Sequence, residues 1–366
     1  MYLVIIFLSI VFFALADVSK KLRNPELITI LFFLLFFTLS AIRWDRGTDW
    51  DYYYLYFRDG LPKEFSWDYV VGDKADSSFE MPYRLLFMTG KAFLKDYTTL
   101  LFVQAAIIFP LFYRFLRRYS ESRLLSLAVW FAINFCFIFF VRQAIAMAIA
   151  LQATDFLIKR KPLPFVLVIL LAACIHMSAV VFLLAYFFSD RKYSYKTLLT
   201  TFVLAWFVGQ FVLPHLLDGL ATSGIGRLSE KAQAYIELGT TSFGSSISHE
   251  RALFNGIVYR IAFIIIAFTV FKDLLEEDKL FRLAVNMMFM GLILFVMLTP
   301  LSEGIGRAAS YFDIFQIIAL PTMVVKSQRL KEKVGMTLIL LLFLTMRLES
   351  TIMGYAELYI PYKSIL

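Results

Sequence analysis

The chain has 366 residues, 60% of them hydrophobic and 17% aromatic, with a formal net charge of +8 and a mean hydropathy of +0.73. A water-soluble domain does not carry this many long apolar runs, so the composition excludes a soluble globular protein and indicates an all-α polytopic membrane protein. In such a chain a basic excess lies in the loops that set orientation, which argues against nucleic acid as a partner.

The first apolar run, 2–16, has no basic region before it and reads as a span rather than a cleaved signal. A second run over 27–42 leads into IRWDRGTDWDYYYLYF at 42–57, where acids, bases and flat rings alternate. Residues 81–94 are short and interrupted by Arg84 and Lys91, which predicts an interfacial or re-entrant helix. Spans follow over 98–116, 124–141 and 144–158, then a long run over 163–188 with His176 and Ser178 in its middle. After a span at 197–217 comes a polar segment, 218–252, rich in Gly, Ser and Thr. Runs at 253–271, 283–301, 308–325 and 334–346 complete a set of roughly 11–13 transmembrane or broken helices, at about 20 residues per full crossing. No internal repeat or linker appears, so one membrane domain over 1–366 is expected, with extracytoplasmic segments at about 43–97 and 218–252. Cys136 and Cys174 lie in apolar runs without metal spacing.

Loop charges set the orientation. If 163–188 is a broken pair meeting near His176, six short segments fall on one side: 17–26, 114–123, 159–161, 189–196, 272–282 and 326–333. Together they hold more than half of the 36 Lys and Arg residues, which makes that side cytoplasmic. Arms of about a dozen residues are too short to cross, and such breaks occur where they line a cavity. Segment 43–80, Arg142, His176, the 218–252 loop and Glu303–Arg307 then share the non-cytoplasmic side, as one site there requires.

Each candidate has a plain reading beside its functional one. Trp44, Trp50 and Tyr53 can stack on sugar faces, or form an interfacial belt. Arg43, Asp45, Arg46 and Asp49 can clamp phosphate or accept from hydroxyls, or belong to a solvated loop. Arg142, with Gln143, can face a lipid-linked pyrophosphate through a planar fork, or snorkel to headgroups. His176 can be a base, a proton shuttle or a donor, or a core histidine bonded to backbone. Glu303 and Arg307 flank glycines that let backbone approach a ligand, or make an interhelix turn with an ion pair. Glu80 can be a base or a helix N-terminal anion. Arg251 stands in a His-Glu-Arg triplet that a solvated loop end explains equally well. There is no P-loop, dinucleotide fingerprint, HExxH or GxSxG, and Asp49–Trp50–Asp51 is a weak metal signal, so neither cofactor nor metal is expected.

Several of these points together resemble the EpsG family of Wzy-type bacterial polysaccharide polymerases. They are Arg43 with Gly47–Thr48–Asp49 and the following tyrosines, Glu80 before a short apolar helix, and Arg142–Gln143 before a small-residue helix. His176–Met177–Ser178, Arg307 before Tyr311–Phe312, and the Pro361–Tyr362 tail complete the set. The resemblance implies a glycosyltransferase-C-like fold in the bacterial cytoplasmic membrane and work at its outer face. It implies joining of repeat units carried on undecaprenyl pyrophosphate, with membrane lipids around the protein and a chain-length regulator as a further partner to consider. The extra acids Asp45 and Asp51 have no place in the family pattern. The rival expectations are a lipid-linked glycan flippase, a membrane O-acyltransferase using His176 as base, and a structural scaffold.

Overall fold

In the computed structural model, described for residues 1–76, 78–139, 142–226, 229–230, 232–233, 236 and 248–365, every named element is helical and one bridge pairs Arg43 with Ser364. Residues 227–228, 231, 234–235 and 237–247 of the 218–252 segment lie outside those residues. Six described helices are long and apolar enough to cross a membrane, and five shorter apolar helices accompany them. The protein is an all-α, multi-pass membrane protein. It divides into two compact units, 1–183 with 356–366, and 184–355.

In the first unit, α1 (Tyr2–Val18) packs on α6 (Arg123–Asn134), and α2 (Pro25–Ala41) packs on α5 (Tyr97–Tyr119) and on α6. Asn24 caps α2 by accepting from the Leu27 amide, with Pro25 in the first turn where its missing N–H costs nothing. Aromatic rings fill the space between these helices: Phe36 stacks on Phe131 at 5.5 Å and meets Trp130 at 5.3 Å. The next helix, α7 (Arg142–Leu151), buries Ala144, Ala146, Ala148 and Ala150, small residues that let α5 and, after the short α8 (Thr154–Ile158), α9 (Pro162–Ala173) close on it.

The expected break in 163–188 is present. Helix α9 ends at Ala173, a turn at 174–176 follows, and the chain returns as a 3-10 segment, Met177–Leu184. Phe165 and Phe182 meet at 6.2 Å, so the return leg folds back along α9. Twelve residues of α9 rise only about 18 Å, short of a hydrocarbon core of about 30 Å, so the hairpin is re-entrant and His176 is at its tip.

A cap is built from α3 (Trp50–Leu55), which continues through Tyr56–Gly60, and α4 (Met81–Thr89), which continues through Gly90–Leu94. The final residues strap onto the loop before α3. The Trp44 amide donates to Lys363 O at 2.9 Å, Gly47 to Leu358 O at 3.1 Å, and Ile365 to Ile42 O at 3.1 Å. Tyr362 Oη reaches Leu39 O at 2.8 Å. Gly47 has φ +107°, open to glycine and strained for other residues.

The second unit is organised around Lys279–Leu298, which is mostly buried. Gly209 lies where a side chain would sit 2.5 Å from Val296 O, so only glycine allows the Tyr195–Thr222 span this close. Asn286 donates to Phe188 O at 3.0 Å and Arg191 O at 2.8 Å, tying down the start of the unit. Arg260 of His249–Thr269 grips Asp313 with Nε–Oδ1 at 2.9 Å and Nη2–Oδ2 at 2.5 Å.

Candidate functional site

Three residues from separate parts of the sequence meet in the first unit. Glu80 sits at the start of α4, where Pro82 supports helix entry. One carboxylate oxygen, Oε2, accepts from Arg142 Nη1 at 3.0 Å, and the other, Oε1, accepts from the Met177 amide at 2.9 Å. Glu80 therefore links the first residue of α7 to the tip of the re-entrant hairpin, beside His176. The pair is partly open, with side-chain exposures of 18% for Arg142 and 21% for Glu80, so a ligand has access to both charges.

The rest of the Arg142 environment comes from the cap. Nη1 also donates to Ser78 O at 2.7 Å, and the guanidinium lies 5.1 Å from the Phe79 ring centre and 5.9 Å from that of Tyr83. Asp76 holds this turn by accepting from the Ser78 amide at 2.8 Å, from Arg84 through its carbonyl at 2.9 Å, and from Tyr52 Oη at 3.2 Å. Burial holds the Tyr53 phenol well above its ordinary pKa; Arg142 opposes that shift, while Asp49 and Glu80 add to it. Burial likewise raises Tyr56 to about 12. These phenols stay neutral over the physiological range. Asp49 is exposed at the N-terminus of α3, within electrostatic reach of Arg142, Tyr53 and Arg43.

The opening aromatic cluster has two roles. Trp50 and Tyr53 are each 6% exposed and Tyr83 is fully buried, so these rings are the core of the cap. Trp50 stacks on Tyr54 at 4.7 Å and meets Trp44 at 4.9 Å, and Tyr53 packs against Phe79, Tyr83 and Phe87. Rings with an open face are Tyr52, at 50% exposure, and Trp67, at 59%. Trp67, which meets Phe65 at 5.1 Å, was not singled out from sequence, because it lies in a polar segment outside the 42–57 cluster.

Arg43, Asp45 and Arg46 have internal partners. Arg43 is 2% exposed and donates through Nη1 to Ser40 O at 3.0 Å and Ile138 O at 3.2 Å. Arg46 donates to Pro361 O at 2.5 Å and to Asp45 O at 2.7 Å, and Asp45 pairs with Lys363. The strap thus accounts for Asp45 and Arg46 without a ligand. Gln143 follows Arg142 at half-exposure. In the second unit, Arg307 opens a short 3-10 turn and is half-buried, Tyr311 is 1% exposed within that unit's core, and Arg251 is exposed in the first turn of its helix. The Glu303 side chain lies outside the described ones. Among the described residues, no cluster of three or more His, Cys, Asp or Glu is placed to hold a metal.

The model of the EpsG family matches residues 26–364, which takes in the cap, the helix break and the strap. The chain belongs to the EpsG family. No curated protein and no solved structure matches it significantly. EpsG membership supports a polysaccharide-polymerase-like role in general. Within this EpsG-family chain, Glu80, Arg142 and His176 are the sequence candidates that the fold brings together, and Ser78, Phe79 and Tyr83 complete their surroundings. The signal for those three was legible: they flank Glu80 within three residues.

Proposed function

We propose that the protein joins oligosaccharide repeat units carried on undecaprenyl pyrophosphate, at the extracytoplasmic face of the bacterial cytoplasmic membrane. The observation that carries this reading is the Glu80 bridge between Arg142 and the Met177 amide beside His176. It supports a site that holds anionic and hydroxyl groups together. In the proposed reaction, the acceptor hydroxyl oxygen attacks the anomeric carbon of the donor glycan. The bond from that carbon to the pyrophosphate oxygen breaks, and its electron pair leaves on the pyrophosphate. The hydroxyl proton passes to a carboxylate, Glu80 or Asp49. Arg142 stabilises the charge that grows on the leaving group.

The ion pair makes the two roles interdependent. A pyrophosphate that engages Arg142 competes with Glu80 for the same guanidinium, which leaves Glu80 Oε2 available for the acceptor proton. Tyr52 and Trp67 offer open faces for sugar rings. Donor and leaving group share one lipid, so the reaction draws on the donor's own glycosyl–pyrophosphate bond.

The test uses purified protein in liposomes with a synthetic lipid-pyrophosphate repeat unit, and neither nucleotide nor metal added. Products are read as a ladder on a gel. A ladder lost with Arg142→Ala is expected; a ladder undiminished in that variant refutes the assignment. Labelled lipid that crosses the bilayer without chain growth moves the assignment to a flippase.

A further inference from the structure

We propose that the end of the first unit away from the cap binds the phosphate of an anionic membrane phospholipid between Arg114 and Arg118 of α5. This site is separate from the Glu80–Arg142 pair and does not depend on the polymerase reading.

Its position follows from two helices. Helix α5 starts at Tyr97, whose ring meets Trp50 in the core of the cap at 5.7 Å. The 23 residues of α5 rise about 34 Å, slightly more than a hydrocarbon core of about 30 Å. Arg114, Arg117 and Arg118 stand in its last turns, so they lie at headgroup depth on the bilayer face opposite the cap. Helix α7 starts at Arg142 and ends at Leu151, beside these arginines. The loop charges assign this face to the cytoplasm.

A shallow depression opens here between α5 and the break that separates α7 from α8. Arg114, Arg118, Tyr119, Gln152 and Asp155 give it polar walls. Their charges do not cancel. Asp155 is engaged twice, by Arg118 Nη1 at 2.7 Å and by the Tyr119 hydroxyl, which donates to it at 2.6 Å. Arg114 is exposed, within electrostatic reach of the Tyr119 phenol, and makes no hydrogen bond or ion pair among the described residues. Arg117 differs: it reaches Glu26 at the start of α2 at 3.5 Å and does not line the depression.

Arg114 and Arg118 are four residues apart, which puts them on one face of α5. The Asp155 pair fixes Arg118, and a guanidinium has five N–H groups, so donors remain for a second anion. Two such groups suit the paired oxygens of a phosphodiester. The one uncompensated positive charge selects a lipid of net negative charge over a zwitterionic one. Gln152 Nε2 spends both hydrogens on Leu111 O and Ala148 O, at 3.0 Å each, which leaves Oε1 to accept. Oε1 and the Asp155 carboxylate then suit the hydroxyls of a glycerol headgroup. An arginine at a span end meets headgroups in any case; the depression adds a second, fixed guanidinium and acceptors beside it.

The experiment takes the full-length protein in neutral detergent, titrated with phosphatidylglycerol or phosphatidylethanolamine and read by native mass spectrometry. One phosphatidylglycerol per chain is expected to be retained at concentrations where phosphatidylethanolamine is not. Equal retention of the two lipids overturns the proposal. Arg114→Gln removes a side chain with no partner inside the protein, and is expected to weaken retention about tenfold, the scale of a charge-assisted hydrogen bond. Arg117→Gln removes the same charge one turn away and is expected to cost below about threefold. Diffuse attraction to a basic surface predicts about fivefold for either charge, so equal losses in the two variants overturn the site.

Two further measurements complete the test. Thermal midpoints in detergent rise with phosphatidylglycerol in the unaltered protein and in Arg117→Gln, and not in Arg114→Gln; the same rise in all three overturns the proposal. Soluble glycerol phosphate separates the two sources of phosphate. It is expected to leave the lipid bound at equal concentration, and displacement of the lipid assigns the depression to a soluble phosphate instead. None of these outcomes bears on ladder formation.

Discussion

The Arg260–Asp313 pair tests whether the second unit depends on a buried charge lock. Asp313→Asn is the perturbation: it keeps the shape and removes the negative charge. In the structure Arg260 Nε meets both carboxylate oxygens, at 2.9 and 3.1 Å, and Nη2 meets one at 2.5 Å. Nη1 donates to Gly256 O at 2.8 Å, and the guanidinium lies 3.8 Å from the Phe295 ring centre. The side chains are 14% and 6% exposed, so water cannot replace the lost partner. Breaking such a pair from one side leaves an uncompensated charge and costs about 3–5 kcal/mol. Replacing both ends, as in Arg260→Met with Asp313→Leu, removes the charge along with its partner and falls well below the single loss. The assay is thermal unfolding in detergent at fixed lipid and salt, with the double variant as the comparison. A midpoint for Asp313→Asn within about 1 °C of the unaltered protein refutes the reasoning, because a loss of about 3 kcal/mol shifts a domain of this size by several degrees. A double variant worse than the single refutes it too.

Three further outcomes are expected. Glu80→Gln is expected to lower ladder formation about a hundredfold while thermal stability changes by about 1 kcal/mol, since the amide keeps a bond to Arg142 or to the Met177 amide but not the charge; equal loss of folding and activity would identify a structural role alone. Gly47→Ala destabilises the strap, because φ is +107° and the new Cβ meets Phe139 Cβ at 3.2 Å, at about 1–3 kcal/mol, whereas Lys363→Ala costs below about 1 kcal/mol because its pair with Asp45 is exposed; limited proteolysis of the tail ranks the two. In alkaline titration, Tyr56 ionises near 12, above its unfolded value of about 10. The protonated phenol is the form the fold prefers, so its contribution is complete below about pH 10 and lost as pH rises toward 12. Ultraviolet difference spectra lose this late step in Tyr56→Phe.

The all-helical build with long apolar helices, the separate short helix at 81–94 and the break at His176 were legible in the sequence, because each depends on run length and on where charges interrupt it. The break was legible in a second way, since a straight 163–188 span would have put the basic 326–333 segment outside. Convergence of Glu80, Arg142 and His176 was legible only as the expectation that all three share one side of the membrane. Their actual contacts depend on how α4, α7 and α9 pack, which no local pattern encodes. Asp45 and Arg46 could not be placed from sequence because their partners, Lys363 and Pro361, lie at the far end of the chain. The Arg260–Asp313 pair went unread although both residues interrupt apolar runs, in VYRIAF and YFDIFQ. An isolated charge within a span marks a partner inside the protein, and pairing the two across the sequence needs the fold.

An ion pair at the centre of a site raises the question of why a substrate would not simply be excluded. Glu80 neutralises Arg142 in the unliganded protein, which removes the cost of holding a lone cation in partly dry surroundings. A pyrophosphate brings more negative charge than one carboxylate and offers oxygens spaced for a guanidinium, so it competes well for Arg142. Glu80 does not leave when it loses that partner, because Oε1 remains on the Met177 amide. The carboxylate is thus kept beside the reacting groups by a bond that the substrate does not contest. Arg142→Ala and Glu80→Gln should consequently differ in kind. The first removes the anion's partner and weakens donor binding together with rate, while the second leaves Arg142 free for the anion and lowers rate at unchanged or tighter donor binding. Saturation curves with the lipid-pyrophosphate donor separate the two, and a matched loss of donor binding in both variants would refute the competition.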